Sequence, residues 1–321
     1  MTNSLPKISI ITPSFNQGEF LEECIDSILG QNYPNLEYII MDGGSSDNSV
    51  EIIKKYQRYL TYWQSQPDGG QYAAIEDGFS RSTGEIMAWL NSDDKYHHHA
   101  FYKVAYAFST FPHPDWIVGR QTCWDKNGDV SFVDGSLTTY CRNYFLEKRP
   151  DNPYIQQESS FWRRTLWEKA GSCLRKDLDY AGDYELWLRF FRHADLQTVD
   201  AILGGFRNHG NQKSALFMNQ YIAETETVLD QEIALFNSSE EACSSAPPAP
   251  LTIPAAEVVR YLNTACAGSE IKPFQLEDES DKITICLLRQ LETLRKELDS
   301  VRRSLSWRIT EPLRRFGGKF R

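Results

Sequence analysis

The chain lacks several things, and each absence narrows its class. No run of 18 apolar residues occurs in its 321 residues, so no transmembrane helix is expected. Its seven cysteines, at 24, 123, 141, 173, 243, 266 and 286, form no C-x-x-C pair and are odd in number. That argues against a zinc site and a disulfide framework, and for reduced thiols. Basic residues are in deficit, 34 Lys and Arg against 44 Asp and Glu, and a net charge of −10 disfavours a general nucleic-acid binder. Residues 1–7 carry no signal-peptide pattern, so a cytoplasmic location is expected. What the chain does have is 41% hydrophobic and 13% aromatic residues, enough for one large α/β domain with an appendage.

Apolar runs at 7–12, 36–41 and 85–90 read as buried strands, the first stopped by Pro13, and a shorter strand is expected near 61–65. Phe20, Leu21, Cys24, Ile25 and Ile28 have helical spacing. Asp47 is placed to cap a helix running to about Tyr59, and 71–82 is helical. Strands alternating with helices predict βαβ units, a mainly parallel sheet and loops near 13–18, 42–47 and 91–95 gathered on one edge. Further on, 116–124 and 130–134 flank Asn127-Gly128, a hairpin signal. Helices are expected at 163–170 and 183–193. The stretch 237–256, rich in Ser, Pro and Ala, reads as a linker. These boundaries give a catalytic domain over 1–236, a helical extension over 257–306 and a basic tail over 307–321.

The most informative feature is Asn91-Ser92-Asp93-Asp94, directly after the strand at 85–90. Ligands of open α/β sheets bind at the carboxyl ends of the strands. Two adjacent buried carboxylates are unfavourable unless a cation or hydrogen bonds offset them, and Mg²⁺ is commonly held by one or two carboxylates plus substrate phosphates. A metal–diphosphate site therefore stands beside the plainer reading, a polar turn. The triple His97-His98-His99 is read as exposed, because adjacent side chains on a helix point different ways.

With these residues in hand, the chain resembles glycosyltransferase family 2, whose members have the GT-A fold. The matching segments run from Ile10-Ile11-Thr12-Pro13-Ser14-Phe15-Asn16 through Met41-Asp42-Gly43-Gly44-Ser45-Ser46-Asp47 and the 84–94 segment to Gly182-Asp183-Tyr184-Glu185-Leu186-Trp187-Leu188-Arg189. The likeness covers about residues 5–215. Two departures are visible: Asn91 stands where many members have an acid, and Gly182 where many have Glu.

The resemblance implies inverting transfer of a sugar from a nucleoside diphosphate donor, UDP-sugar favoured, to a hydroxyl. Thr12, Pro13 and Ser14 would lie against the nucleoside. Asp42 would accept a base N–H, or simply turn the chain before Gly-Gly. Asp68 would touch nucleoside or ribose, with a turn the competing role. Asp93 and Asp94 would share ribose and a divalent metal, Mn²⁺ or Mg²⁺, with Asp94 favoured as the ligand. Asp183 is the expected general base, Asp179 its rival. Glu158 and Trp162 would meet the acceptor, a glycan or lipid-linked sugar, with core packing the alternative for Trp162. Arg207, His209 and Lys213 would bring positive charge to the diphosphate, with His209 also near the metal.

Leu287, Leu291, Leu294, Leu298, Val301 and Leu305 repeat at four and three residues, an a/d seam that predicts a short coiled coil, and homodimerisation, over 283–306. A helix folded back on the catalytic domain is the alternative. Residues 301–321 carry seven basic side chains against Glu311 alone, with Trp307, Ile309, Leu313 and Phe316 interleaved. Similar Ser-Trp-Arg-x-Thr-x-Pro-Leu-Arg segments end many bacterial polysaccharide glycosyltransferases, and such a tail suits peripheral contact with an anionic membrane. Two other functions remain open. A nucleotidyltransferase would want a Gly-rich basic loop after the first strand, where 13–18 offers one Gly and no Arg or Lys. A silent scaffold would have no need of all four of Asp42, Asp93, Asp94 and Asp183.

Overall fold

The computed structural model describes residues 5–111, 114–147, 154–238 and 246–265. All of these except 133–136 belong to one compact unit. The second unit, 133–136 with 277–321, is described only at 133–136, where the Ser136 N–H donates to Asp134 Oδ1 at 2.9 Å. The expected coiled coil over 283–306 and basic tail over 307–321 lie outside the described residues.

Strand β1 (Ile8–Ser14) is buried at every position and sits inside the sheet. It pairs in parallel with β2 (Leu36–Asp42) from Ile8↔Leu36 to Ser14↔Asp42. Its other edge pairs with β4 (Ile86–Trp89), but only from Ile8↔Ile86 to Ile11↔Trp89. This early end of β4 pairing explains why Pro13 does not stop the strand. The ring nitrogen of Pro13 falls on the edge that β4 has already left, so no ladder donor is missed. Helix α1 (Leu21–Leu29) buries Leu21, Cys24, Ile25 and Ile28, the expected stripe. Helix α2 (Ser49–Tyr56) starts where Asp47 Oδ1 accepts the Ser49 N–H at 3.0 Å, and a 3₁₀ turn carries it to Tyr59. Strand β3 (Tyr62–Ser65) closes one edge beside β2. Helix α3 (Gln71–Ser80) lies so close to β1 that a Cβ on Gly78 would stand 2.5 Å from Ile11.

Beyond β4 come β5 (Lys95–Tyr96) and α4 (Ala100–Thr110). The run at 116–124 is two strands: β6 (Trp116–Val118) stays in the large sheet, and β7 (Thr122–Trp124) joins a smaller one. Gly119 lies at the crossing, where a Cβ would meet the Ala201 carbonyl at 2.7 Å. The smaller sheet is completed by β8 (Val130–Val133) and, later, β11 (Gly204–Arg207), in the order β5-β11-β7-β8.

Short helix α5 (Arg142–Leu146) precedes β9 (Ser160–Arg163), which is antiparallel to both β4 and β6. Helices α6 (Arg164–Lys169) and α7 (Gly182–Phe191) lead to β10 (Gln197–Asp200), α8 (Lys213–Leu216) and the long α9 (Met218–Ser238).

The stretch expected as a linker is partly structured. Helix α9 reaches Ser238, and β12 (Leu251–Thr252) extends the large sheet through Val199↔Leu251 and Asp200↔Thr252. Helix α10 (Ala255–Ala265) then packs on α4, with the Tyr106 hydroxyl donating to Glu257 at 2.8 Å. The unit therefore continues well past residue 236. The large sheet runs β12-β10-β6-β9-β4-β1-β2-β3, a mixed, mainly parallel sheet flanked by helices. At its centre Trp89, Trp162, Trp187 and Trp116 pack against Phe79 and Phe190, with Trp89 and Trp187 stacked at 5.9 Å and 8°.

Candidate active site

The loops following β1, β2 and β4 meet at the carboxyl ends of the strands, as expected. The Asn16 N–H donates to Ser45 Oγ at 2.8 Å, and Ser46 and Gly18 donate back to Asn16 and Asp47. Asn16 has φ 52°, a left-handed conformation that Asn tolerates better than most residues. Above this edge lies a cavity of about 910 Å³. Pro13, Ser14, Asp68, Asp93, Asp94, Glu158, Asp179, Asp183 and Lys213 all line it. Residues as far apart in sequence as Pro13 and Lys213 thus share one chamber.

Asp93 and Asp94 are braced from behind. Arg207 is 1% exposed; its backbone N–H donates to Asp94 Oδ1 at 2.7 Å and its Nε to the Asp93 carbonyl at 2.7 Å. Its guanidinium continues to Glu23 at 2.6 Å and lies over the Phe20 ring. Asn91 donates to Asp94 Oδ2 at 3.3 Å and accepts from Gln71 at 2.8 Å. Burial, then the carboxyls of Glu158 and Asp93, hold Asp94 well above the usual carboxylate range. Burial also pushes Glu158 up to about 7.

Crowded carboxyls of this kind are what a divalent cation relieves. The donor set, two carboxylates with room for phosphate oxygens, fits Mg²⁺ or Mn²⁺. Among the described residues no cluster of three or more His, Cys, Asp or Glu forms an all-protein metal cage, so a cation here would depend on substrate oxygens or water.

Asp183 stands at the start of α7. Its Oδ1 accepts the Tyr184 N–H at 2.8 Å, and burial outweighs that bond to push the carboxyl up to about 6. The loop in front of it is held by Glu224 of α9, whose carboxylate accepts the N–H groups of Asp179, Tyr180 and Ala181 at 3.0, 2.9 and 2.8 Å. Tyr72 donates to the Tyr180 carbonyl at 2.6 Å. A Cβ on Gly182 would stand 2.7 Å from the Tyr72 ring, which is why glycine occupies the position before Asp183.

Several sequence-based roles are corrected here. Trp162 is 0% exposed on β9 and packed among Phe79, Trp89, Trp187 and Phe190, so its face is closed to a sugar. Thr12 is buried below the cavity, its hydroxyl receiving Tyr38 at 3.1 Å. Asp42 is also buried outside the lining. It accepts Ser45 Oγ at 2.5 Å, Ser65 Oγ at 2.6 Å and the Gly44 and Ser45 N–H groups, so it shapes the loop and presents no open face. Arg207 and His209 stand behind the carboxylates and do not line the cavity. His209 Nε2 is 3.2 Å from Asp93 Oδ2, and its ring rests on Phe20 at 4.6 Å. Of the three expected cations only Lys213 lines the chamber, its Nζ making a long 3.5 Å contact with the Asp179 carbonyl. His97 is buried, bonded to Thr122 Oγ1 at 2.9 Å.

Gln71, Asn91 and Glu224 were absent from the sequence-based set. Asn91 lies inside the motif itself; Gln71 and Glu224 are ordinary polar helix residues with no spacing to mark them.

A mixed, mainly parallel sheet flanked by helices, with acidic groups gathered at its strand ends, has the architecture of the GT-A fold. The family model described as glycosyl transferase family 2 matches residues 9–169, half of the chain. The chain belongs to glycosyltransferase family 2, and is a glycosyltransferase. An uncharacterized glycosyltransferase of Mycobacterium tuberculosis is 29% identical over 235 residues, covering 67% of this chain and 81% of the relative. Among solved structures, S. aureus TarS 1-349 in complex with UDP-GlcNAc overlays with a TM-score of 0.57 at 16% identity, covering 87% of this chain and 79% of that one. The chain spans 48% of the longer TarS structure. The mannosyltransferase PcManGT from Pyrobaculum calidifontis, in complex with GDP-Man and Mn2+, overlays with a TM-score of 0.51 at 17% identity, covering 95% and 82%. At these identities the overlays speak to the fold.

Proposed function

We propose that the enzyme transfers a sugar, with inversion, from a nucleoside diphosphate-sugar to a hydroxyl of a glycan or lipid-linked acceptor in cell-surface polysaccharide synthesis. The observation that carries this reading is the shared chamber: Asp93 and Asp94 line it together with Asp183, whose carboxyl is raised to about 6. A general base works best with a pKa near the operating pH. Asp183 therefore takes the proton of the attacking hydroxyl as that oxygen bonds to the anomeric carbon, while the nucleoside diphosphate leaves from the opposite face. Asp68 and Ser14 bind the nucleoside side of the donor. Lys213, unpaired with any carboxylate among the described residues, offers positive charge to the diphosphate. Asp94 and Asp93 would hold Mn²⁺ or Mg²⁺, which when bound offsets the charge growing on the leaving diphosphate. Glu158, at the same wall, reaches acceptor or ribose hydroxyls. A UDP-sugar is the favoured donor, in line with the TarS complex, while the PcManGT complex keeps GDP among the candidates.

No helix among the described residues is long and apolar enough to cross a membrane. Exposed Leu216, Phe217, Met218 and Ile222 lie along α8 and α9 beside cavity residue Tyr221, and Met218 itself lines the cavity, which suits a lipid-linked acceptor. Peripheral attachment at the inner face of the membrane and pairing through 283–306 belong to the same proposal.

The test is a thermal-shift panel of UDP, GDP, CDP and dTDP, each with Mn²⁺ or EDTA. A ligand at a hundred times its Kd adds about 2.7 kcal/mol of stability. One nucleotide should shift the transition with Mn²⁺ alone. No shift with any nucleotide at millimolar concentration would move the reading to a silent scaffold.

A further inference from the structure

A second cavity, of about 240 Å³, shares Asp183, Tyr154 and Tyr221 with the first. It lies along α7 and α9, and its remaining wall includes Tyr184 and Trp187 from α7 and Thr225 and Glu226 from α9. Helix α9 lies beyond both the family match at 9–169 and the likeness over about 5–215, so the Thr225 and Glu226 side of this wall comes from a part of the chain that the family pattern does not prescribe.

Three properties of the space define its occupant. It is smaller than the roughly 300 Å³ at which sites for drug-sized ligands begin, which leaves room for a single ring. Its walls are aromatic, and the flat C–H face of a pyranose packs on aromatic rings. Its polar groups are of the kind that bind hydroxyls. Trp187 is 2% exposed and held by stacking on Trp89, yet its indole N–H has no hydrogen-bond partner. Thr225 Oγ1 donates to the Ile222 carbonyl at 2.8 Å and keeps its lone pairs free. The carboxylates of Glu226 and Asp183 accept hydrogen bonds from hydroxyls and repel anions.

We propose that this cleft is the acceptor subsite, and that it takes one uncharged sugar ring with its nucleophilic hydroxyl directed at Asp183. The proposal rests on the reading of Asp183 as the base that separates donor from acceptor. It makes α9 the element that selects the acceptor, through Thr225 and Glu226, while the adjacent Glu224 holds the loop before Asp183.

The test is binding, which needs no turnover. Methyl glycosides of glucose, galactose, mannose, N-acetylglucosamine, rhamnose and glucuronate are offered to the full chain with UDP and Mn²⁺, and ligand-observed NMR reads contact. At least one neutral glycoside should bind and the glucuronide should not. Thr225→Trp, which fills the cleft, should weaken that binding more than tenfold while the UDP Kd moves less than twofold. Glu226→Ala, at an exposed helix position, should weaken it at least threefold and serves if the bulky variant does not fold. Absence of any neutral binder, equal binding of the glucuronide, or unchanged affinity in the variants overturns the subsite. Absence of UDP binding instead overturns the donor-site reading, and the two failures are distinguished in one experiment.

Discussion

The two ends of the large sheet treat buried carboxyls in opposite ways. At the amino end, Glu37 is surrounded by donors: Ser9 Oγ at 2.5 Å, Lys7 Nζ at 2.9 Å and the Thr83 N–H at 2.6 Å. Burial alone would raise this carboxyl, but those bonds overcome it and pull it down to about 2. At the carboxyl end, Asp94, Glu158 and Asp183 are raised, because burial is met there by too few donors and, for the first two, by neighbouring acids. One end spends its polar groups on holding β1, β2 and the start of β4 together. The other leaves charge uncompensated for a substrate to complete. The difference separates a structural acid from the proposed site acids without reference to motifs.

The sharpest break of the comparison is Asp94→Asn. It should lower turnover by roughly 10³-fold or more, as removal of a transition-state charge partner does. It should also abolish the Mn²⁺-dependent nucleotide shift while the fold survives, which circular dichroism and melting would check.

Asp183→Asn should lower kcat by roughly 10²-fold or more with little change in UDP affinity. The wild-type rate should fall as pH drops below about 6, where the base takes up its proton. The stability effect has the opposite sense. With a folded value of about 6 against an ordinary 3.8, the native state binds the proton more tightly, so the charged form costs stability above pH 6 and nothing below the unfolded value. Asp183→Asn should therefore raise stability at pH 7–8 by on the order of 1 kcal/mol, discounted for partial exposure, and the gain should vanish near pH 4.

Glu37→Gln should behave in reverse. Its depressed carboxyl contributes stability above its ordinary 4.5 that is lost as pH falls through about 2. The variant should lose about 2–3 kcal/mol at pH 7 and little at pH 2, with nucleotide affinity unchanged. Urea melts at both pH values would decide it.

Arg207→Met removes the side-chain brace on the Asp93 carbonyl and leaves the backbone N–H to Asp94 in place; it should weaken Mn²⁺ binding, read as a roughly 10-fold higher metal concentration for half-maximal activity.

The smallest effect is expected from Trp162→Phe: about 1–2 kcal/mol of lost packing and no change in acceptor KM. A raised acceptor KM without loss of stability would restore Trp162 to the site.

Local chemistry made the first half of the fold legible. Buried parallel strands read as unbroken apolar runs, and each is followed by a turn, so β1 to β4 with α1 to α3 were found within a few residues. Where pairing is distant the reading failed. β12 belongs to a Ser- and Pro-rich stretch because β10, fifty residues earlier, offers it an edge. The division of 116–124 depends on Gly119 passing the Ala201 carbonyl. Residue types and spacing, determined by the sequence alone, placed Asp68, Asp93, Asp94, Glu158, Asp183 and Lys213, all now found on one cavity wall. Only the tertiary structure decided which way the other candidates face. Asp42 and Arg207 are taken up by the protein's own donors and acceptors, and Trp162 by the aromatic core. Glu224 gained a part that its surroundings alone confer. A motif fixes where a side chain enters the fold, but its direction and charge follow from what packs against it, and most of that arrives from elsewhere in the chain.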